Sequence, residues 1–149
     1  MIIFWNYGTL LKRKVIFLHN VMAEEKGNAV GWFEIPVVDM KRAMKFYETV
    51  LEVRLERHMV GEVDMAWFPM VDGKGAAGSL VAHPEWYKPS ADGTIIYFTA
   101  YSGDLSNELS RVEAAGGKVL VPKKSIGEYG FMAVVLDTEG NRIALHSAK

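Results

Sequence analysis

The sequence contains no cysteine. A disulfide scaffold, a thiolate zinc site and a cysteine nucleophile are therefore all excluded. It has almost no net charge, with 17 Lys and Arg against 18 Asp and Glu, a formal −1. Nothing in that balance draws the chain toward nucleic acid or an anionic membrane surface. It also lacks a long apolar run: the opening MIIFW is soon broken by Lys12, Arg13 and Lys14. That stretch is too short and too interrupted to span a bilayer, and it has neither the basic flank nor the long apolar centre of a secretory signal. A cytoplasmic protein is the simplest expectation. No G-x-S-x-G serine elbow and no acidic D-x-D-x-D run is present.

What is there is ordinary core material. Half of the 149 residues are hydrophobic and 23% are charged, the balance of a soluble globular chain with one domain or two small halves sharing a core. Residues 1–29 read as a loosely attached arm, either an extended start or an added strand, with the folded domain at 30–147. Within it, WFEIPV (Trp32 to Val37) alternates like a strand. Asp39 stands where an N-cap belongs, and Met40, Ala43, Met44, Tyr47, Val50 and Leu51 then share one helical face. Val53 to His58, Met65 to Met70 and Ser79 to Ala82 read as strands, with DGKGAAG (72–78) as a turn. HPEWYKPSAD (83–92) is a breaker-rich linker. The order then repeats. Thr94 to Ala100 is a strand. Leu105, Leu109, Val112 and Ala115 form a helical stripe ended by Gly116 and Gly117. Lys118 to Val121, Phe131 to Leu136 and Arg142 to His146 are strands. The pattern is a duplicated βαβββ module, spanning 30–83 and 93–147.

Strand parity separates two faces. Phe33, Ile35, Val37, Ile95, Tyr97, Ile143 and Leu145 form the apolar set expected to pack on the helices. The opposite faces carry Trp32, Glu34, Ser79, Val81, Thr94, Ile96, Phe98, Arg142, Ala144 and His146. Aromatics among a few convergent polar groups are what a small-molecule pocket needs. Glu34, an acid in the middle of an apolar strand, is the candidate catalytic or anchoring group, with a rim ion pair to Arg142 or a lysine as the plainer reading. Trp32, Ser79, Thr94, Phe98, Arg142 and His146 are the candidate ligand contacts. His83 lies in the linker and His58 at a strand end, where a turn and a surface role are expected. GKGAAG (73–78) matches G-x-G-x-x-G in letters, but the strand-like SLVAHP that follows it is not the helix a dinucleotide site requires. Those glycines are expected in a hairpin with close backbone approach.

Three stretches carry a family resemblance: IPVVDMKRAMKFYETVLE (35–52), RVEAAGGKVLVP (111–122) and VVLDTEGNRIALH (134–146). With them the chain resembles the vicinal oxygen chelate superfamily of glyoxalases, bleomycin resistance proteins and extradiol dioxygenases, over about residues 30–147. The resemblance implies an α+β fold: tandem βαβββ modules forming a cup-shaped, mainly antiparallel sheet with the helices outside. It implies a small-molecule ligand in the cup, and module pairing within a chain or across a homodimer. In metal-binding relatives it also implies a divalent ion that grips two adjacent oxygens of the substrate. The matching ligand positions here hold Trp32, Ser79, Thr94 and Ala144. Trp and Ala offer no ligand atom, and Ser and Thr are poor ligands alone. No cofactor is therefore expected. A displaced divalent site would have to fall back on Glu34 and His146, with His83 as a further donor. The remaining reading is a pure sequestering protein that needs no metal.

Overall fold

The computed structural model describes residues 30–71 and 75–149. The expected arm over 1–29 and the centre of the turn at 72–74 lie outside them.

The chain runs β1 (Trp32–Pro36), α1 (Met40–Leu51), β2 (Glu56–Val60), β3 (Val63–Trp67) and β4 (Ala77–Ala82). The second half runs β5 (Tyr97–Thr99), α2 (Leu105–Val112), β6 (Lys118–Ser125), a 3-10 turn (Gly127–Tyr129), β7 (Phe131–Leu136) and β8 (Arg142–Ser147). Each half makes a four-stranded sheet, ordered β1-β4-β3-β2 and β5-β8-β7-β6. Only β1–β4 and β5–β8 pair in parallel; the other neighbours are antiparallel. This is the duplicated βαβββ module of an α+β fold.

Both helices start as the sequence suggests. Asp39 accepts the N–H of Arg42 at 3.0 Å, and Asp104 accepts that of Ser106 at 2.9 Å. In α1, Met40, Ala43, Tyr47, Val50 and Leu51 are buried, whereas Met44 is only half-buried. Phe46 is fully buried too, although it lies outside the expected stripe. It packs edge-on against Tyr47 and so closely on Gly117 that a Cβ there would come within 2.5 Å of its ring. The Arg111 guanidinium of α2 donates to the Val50 carbonyl at 2.7 and 3.1 Å, covering the orphan end of α1.

Some strands are displaced from their expected limits. β2 begins at Glu56 rather than Val53, because Leu55 turns into the core and its N–H bonds Glu48 at 3.0 Å. β3 spans Val63–Trp67 instead of 65–70, and β6 continues to Ser125 past register shifts between Val119 and Lys124.

One core serves both modules. Ile35, Ala66 and Leu80 come from the first sheet, Ala133, Val135, Ile143 and Leu145 from the second, and the two helices supply the rest. At its centre Phe33, Tyr47, Phe68 and Phe98 have ring centroids 5.4–5.9 Å apart. The parity expected for β5 is therefore inverted. Phe98 pairs with Leu145 and packs into the core, while Tyr97 pairs with Ala144 and is half exposed. The segment IIYF is apolar at both parities, so alternation carries no information there. Tyrosine is the ring whose hydroxyl tolerates the wet side.

The modules are also joined by polar groups. Glu139, in the β7–β8 turn, accepts the N–H groups of Val38 and Asp39, both at 2.9 Å, and forks with Arg42 at 2.7 and 3.0 Å. Burial alone pushes this carboxyl up. The Arg42 guanidinium and the two backbone N–H groups outweigh it and hold Glu139 below the usual range. Beneath it, Tyr47 donates to Asp137 at 2.7 Å, and Asn141 donates to the Pro36 carbonyl at 2.8 Å.

Candidate functional site

Register places the candidate residues on the side of the first sheet away from the helices. β1 and β4 set Trp32 beside Ala77, Glu34 beside Ser79 and Pro36 beside Val81. β3 adds Trp67 next to Ser79 and Met65 next to Val81, and β2 adds His58 next to Met65. Facing residues in a ladder share one side of the sheet, so these side chains form one surface.

Glu34 is at its centre and, among the described residues, makes no ion pair. The Trp32 indole N–H donates to one oxygen at 3.3 Å, and the Tyr87 hydroxyl donates to the other at 2.5 Å. Tyr87 comes from the linker, which brings this ring over the first sheet. Its hydrogen bond to Glu34, with some burial, raises the phenol pKa above its ordinary value. Trp32 meets Trp67 edge-on at 5.7 Å, and His58 lies 4.6 Å from Trp67. Among the described residues the Ser79 hydroxyl, fully buried beside Glu34, has no hydrogen-bond partner, and neither does Trp67 Nε1. His58 Nε2 makes no hydrogen bond and has Glu56 at 3.7 Å. Unsatisfied polar atoms on one face of one sheet stand out, because buried polar groups are normally satisfied.

The second sheet is built differently on the matching side. Arg142, Ala144 and His146 face the same way as Tyr97 and Thr99. His146 Nε2 lies 2.7 Å from the Tyr129 carbonyl, and Arg142 Nη2 donates to the Gly93 carbonyl at 3.3 Å. Thr94 is exposed and precedes β5 instead of lying in it. Between the modules is a small cavity of about 150 Å³, whose polar lining includes Glu34, Lys88, Asp92, Thr94 and Arg142. A larger hollow of about 550 Å³ opens at the start of α1. Two of its cations are already engaged, Arg57 on Asp64 at 2.6 Å and Arg42 on Glu139, while Lys41 on its wall makes no ion pair among the described residues.

The structure thus gathers Trp32, Glu34 and Ser79 on one surface and Glu34, Thr94 and Arg142 around one cavity. Phe98 belongs to neither. His83 stacks on Trp86 at 4.1 Å and accepts the Glu85 N–H, as a turn residue would. Among the described residues no three His, Cys, Asp or Glu side chains cluster as metal ligands. Glu34 and His146 are each engaged with other partners, so the donor set does not fit the divalent ion of glyoxalases. Sequence reasoning passes over Tyr87 and leaves Trp67, a ring able to stack on a planar ligand, out of the candidate contacts. The parity of β3, with Met65 and Trp67 two apart, held a signal for the second. A linker tyrosine has no periodicity to reveal it.

This chain belongs to the Glyoxalase/Bleomycin resistance protein/Dioxygenase superfamily, whose family model matches residues 29–145. Among curated proteins none matches it in sequence. Solved structures share the fold at low identity. A glyoxylase/bleomycin resistance protein/dioxygenase domain from a Frankia species is 16% identical with a TM-score of 0.65, over 83% of this chain and all of that one. TnmS3, an antibiotic binding protein from a Streptomyces species, is 23% identical with a TM-score of 0.56, over 82% of this chain and 97% of that one. Glyoxalase I from Zea mays is 20% identical with a TM-score of 0.60, over 78% of this chain. Only 45% of the maize protein is covered, so this chain spans less than half its length. Among the described residues no helix is long and apolar enough to cross a membrane.

Proposed function

We propose that this protein is a metal-free small-molecule binder that holds a planar, hydrogen-bond-donating ligand on the open face of its first sheet. The observation that carries the reading is Glu34. It is an acceptor-only carboxylate with no cationic partner among the described residues, held by two neutral donors between the rings of Trp32 and Tyr87. A donor or cation on a planar ligand competes with those neutral donors for the carboxylate while its ring stacks on the indoles. The unpartnered Ser79 hydroxyl beside Glu34 gives the ligand a second polar contact once the neighbouring side chains part. Antibiotic binding by TnmS3, on the same fold, supports sequestration over chemistry. Catalysis by Glu34 as a base would first require it to shed the Tyr87 hydrogen bond.

The test is saturable quenching of tryptophan fluorescence by a panel of planar amines, proflavine among them. Glu34→Gln should weaken proflavine by about tenfold and leave the fold intact. An unchanged affinity in Glu34→Gln, or no saturable quenching by any member of the panel, overturns the reading. Elemental analysis that found one equivalent of tightly held nickel, zinc or iron would overturn the metal-free part.

Two further features belong to the same proposal. We take the protein to be a cytoplasmic homodimer, since Trp86, Tyr97, Tyr101 and Tyr129 are large and well exposed. Sedimentation showing a monomer at micromolar concentration would remove the dimer.

A further inference from the structure

We propose that the small cavity between the modules is a carboxylate-binding subsite, with Arg142 as its primary cation and Lys88 as its second. It is distinct from the aromatic face, sharing Glu34 and Pro36 with it, and stands without it.

The argument begins with an incompletely used guanidinium. Arginine has five N–H donors in a planar fork. The hydrogen bond recorded for the Arg142 side chain is the 3.3 Å contact of Nη2 with the Gly93 carbonyl. Its Nε is buried and has no acceptor. Among the described residues no carboxylate lies within 4 Å of it. A half-buried cation in that condition is under-satisfied, and a carboxylate supplies both the charge and the paired acceptors.

The protein holds acids nearby and does not use them for this purpose. Glu34 lines the same cavity, yet both of its oxygens accept from Trp32 and Tyr87. Asp92 also lines it but is exposed in the linker and makes no ion pair among the described residues. Lys88, on the same linker, has no carboxylate partner among them either. Among the described residues the cavity therefore presents two unpaired cations from two different segments, one on β8 and one on the linker.

Shape and size select the anion. Glu34 and Asp92 offset the two cations around the cavity, so its net field does not call for a dianion. A planar carboxylate matches the arginine fork. The volume of about 150 Å³ equals about five water volumes. That accommodates a carboxylate with a short carbon stub, with the Thr94 hydroxyl available to an α-oxygen. The ligand class is a small α-oxygenated monocarboxylate, free or as the end of a larger molecule.

Sodium pyruvate tests this directly, titrated against the full chain by thermal shift and by backbone-amide NMR, with sodium chloride and sodium phosphate at matched ionic strength. Pyruvate should bind saturably in the millimolar range, raise the Tm above the chloride control and shift the amides of Lys88 to Thr94. Arg142→Gln should weaken it by about tenfold or more. Lys88→Gln, a linker substitution that leaves the core untouched, should weaken it by a smaller factor. Pyruvate no better than chloride, phosphate binding more tightly than pyruvate, or full pyruvate affinity in Arg142→Gln would each overturn the subsite. If Arg142→Gln does not fold, full affinity in Lys88→Gln overturns it instead. Proflavine quenching separates the two proposals. Its absence alongside pyruvate binding sinks the aromatic-face reading alone, and its persistence in the absence of pyruvate binding sinks the subsite alone.

Discussion

The two modules are built on one plan and finished differently. Both start a helix from an aspartate cap, Asp39 and Asp104, and both pair their first and last strands in parallel. Their helix-facing sides meet in one core. On the opposite sides they part. The first module sets Glu34 against Ser79, flanked by Trp32 and Trp67; the second sets Tyr97 against Ala144, flanked by Arg142 and His146. A duplicated fold keeps what packs and is free to vary what does not. The polar bridges between modules are one-sided in the same way. Glu139 of the second module closes the start of α1 in the first. The first module thus carries the proposed acceptor site, and the second supplies the clamp on the start of its helix.

The sharpest way to break that relation is Glu139→Ala. It strips two backbone N–H groups and Arg42 of their acceptor at a buried carboxylate, and should cost about 3 kcal/mol of stability in urea unfolding. A loss below about 1 kcal/mol would mean that the modules hold together through the shared core alone. The same group sets an acid limb. Its folded pKa is depressed, so its contribution is present above the unfolded carboxylate value and is lost as pH falls through the folded one. Stability should therefore decline below about pH 4. Asp104 acts with the same sign, held well down by Lys123 first and by the Ser106 N–H. Removing Glu139 should flatten the decline, and an unchanged acid profile in Glu139→Ala would show that other groups set it.

Next in size is Gly78→Val. Gly78 precedes Ser79 as Ile143 precedes Ala144, yet a Cβ at Gly78 would fall 2.5 Å from the Phe33 ring. That ring is held by Phe68 and Phe98 and cannot move aside. The substitution should cost about 2 kcal/mol, and Phe33→Val should recover part of it in the double variant. Additivity of the two would show that they do not touch.

The smallest effect has the opposite sign. Ser79→Ala converts the first module to the residue that the second already has. It deletes a buried hydroxyl with no partner, so stability should rise by about 1 kcal/mol while proflavine binding weakens. A fall in Tm would reveal a partner for Ser79.

Much of this was legible along the chain, and the limits of legibility follow one physical rule. Where a strand alternates, as in WFEIP, the two faces of the sheet write themselves into the sequence, and Trp32 and Glu34 were assigned to the open side correctly. Where both parities are apolar, as in IIYF, only the packing partner decides, and Phe98 went to the core while Tyr97 took the open side. Thr94 lines the cavity but fell outside the expected strand, since β5 starts at Tyr97 and leaves it in the approach loop.

The sequence by itself determined the duplicated module and the cap and breakers that bound its helices. Those features depend on local periodicity, on backbone chemistry and on residue identity, all of which are written in one dimension. Only the tertiary structure decided that Tyr87 of the linker hydrogen-bonds Glu34, that Glu139 reaches across to α1, and that Arg142 bonds the Gly93 carbonyl and pairs with no acid among the described residues. Each of those is a contact, or a missing contact, between residues about fifty to a hundred positions apart. No local pattern encodes such a contact, because it is fixed by how the two sheets and the linker close around a common core.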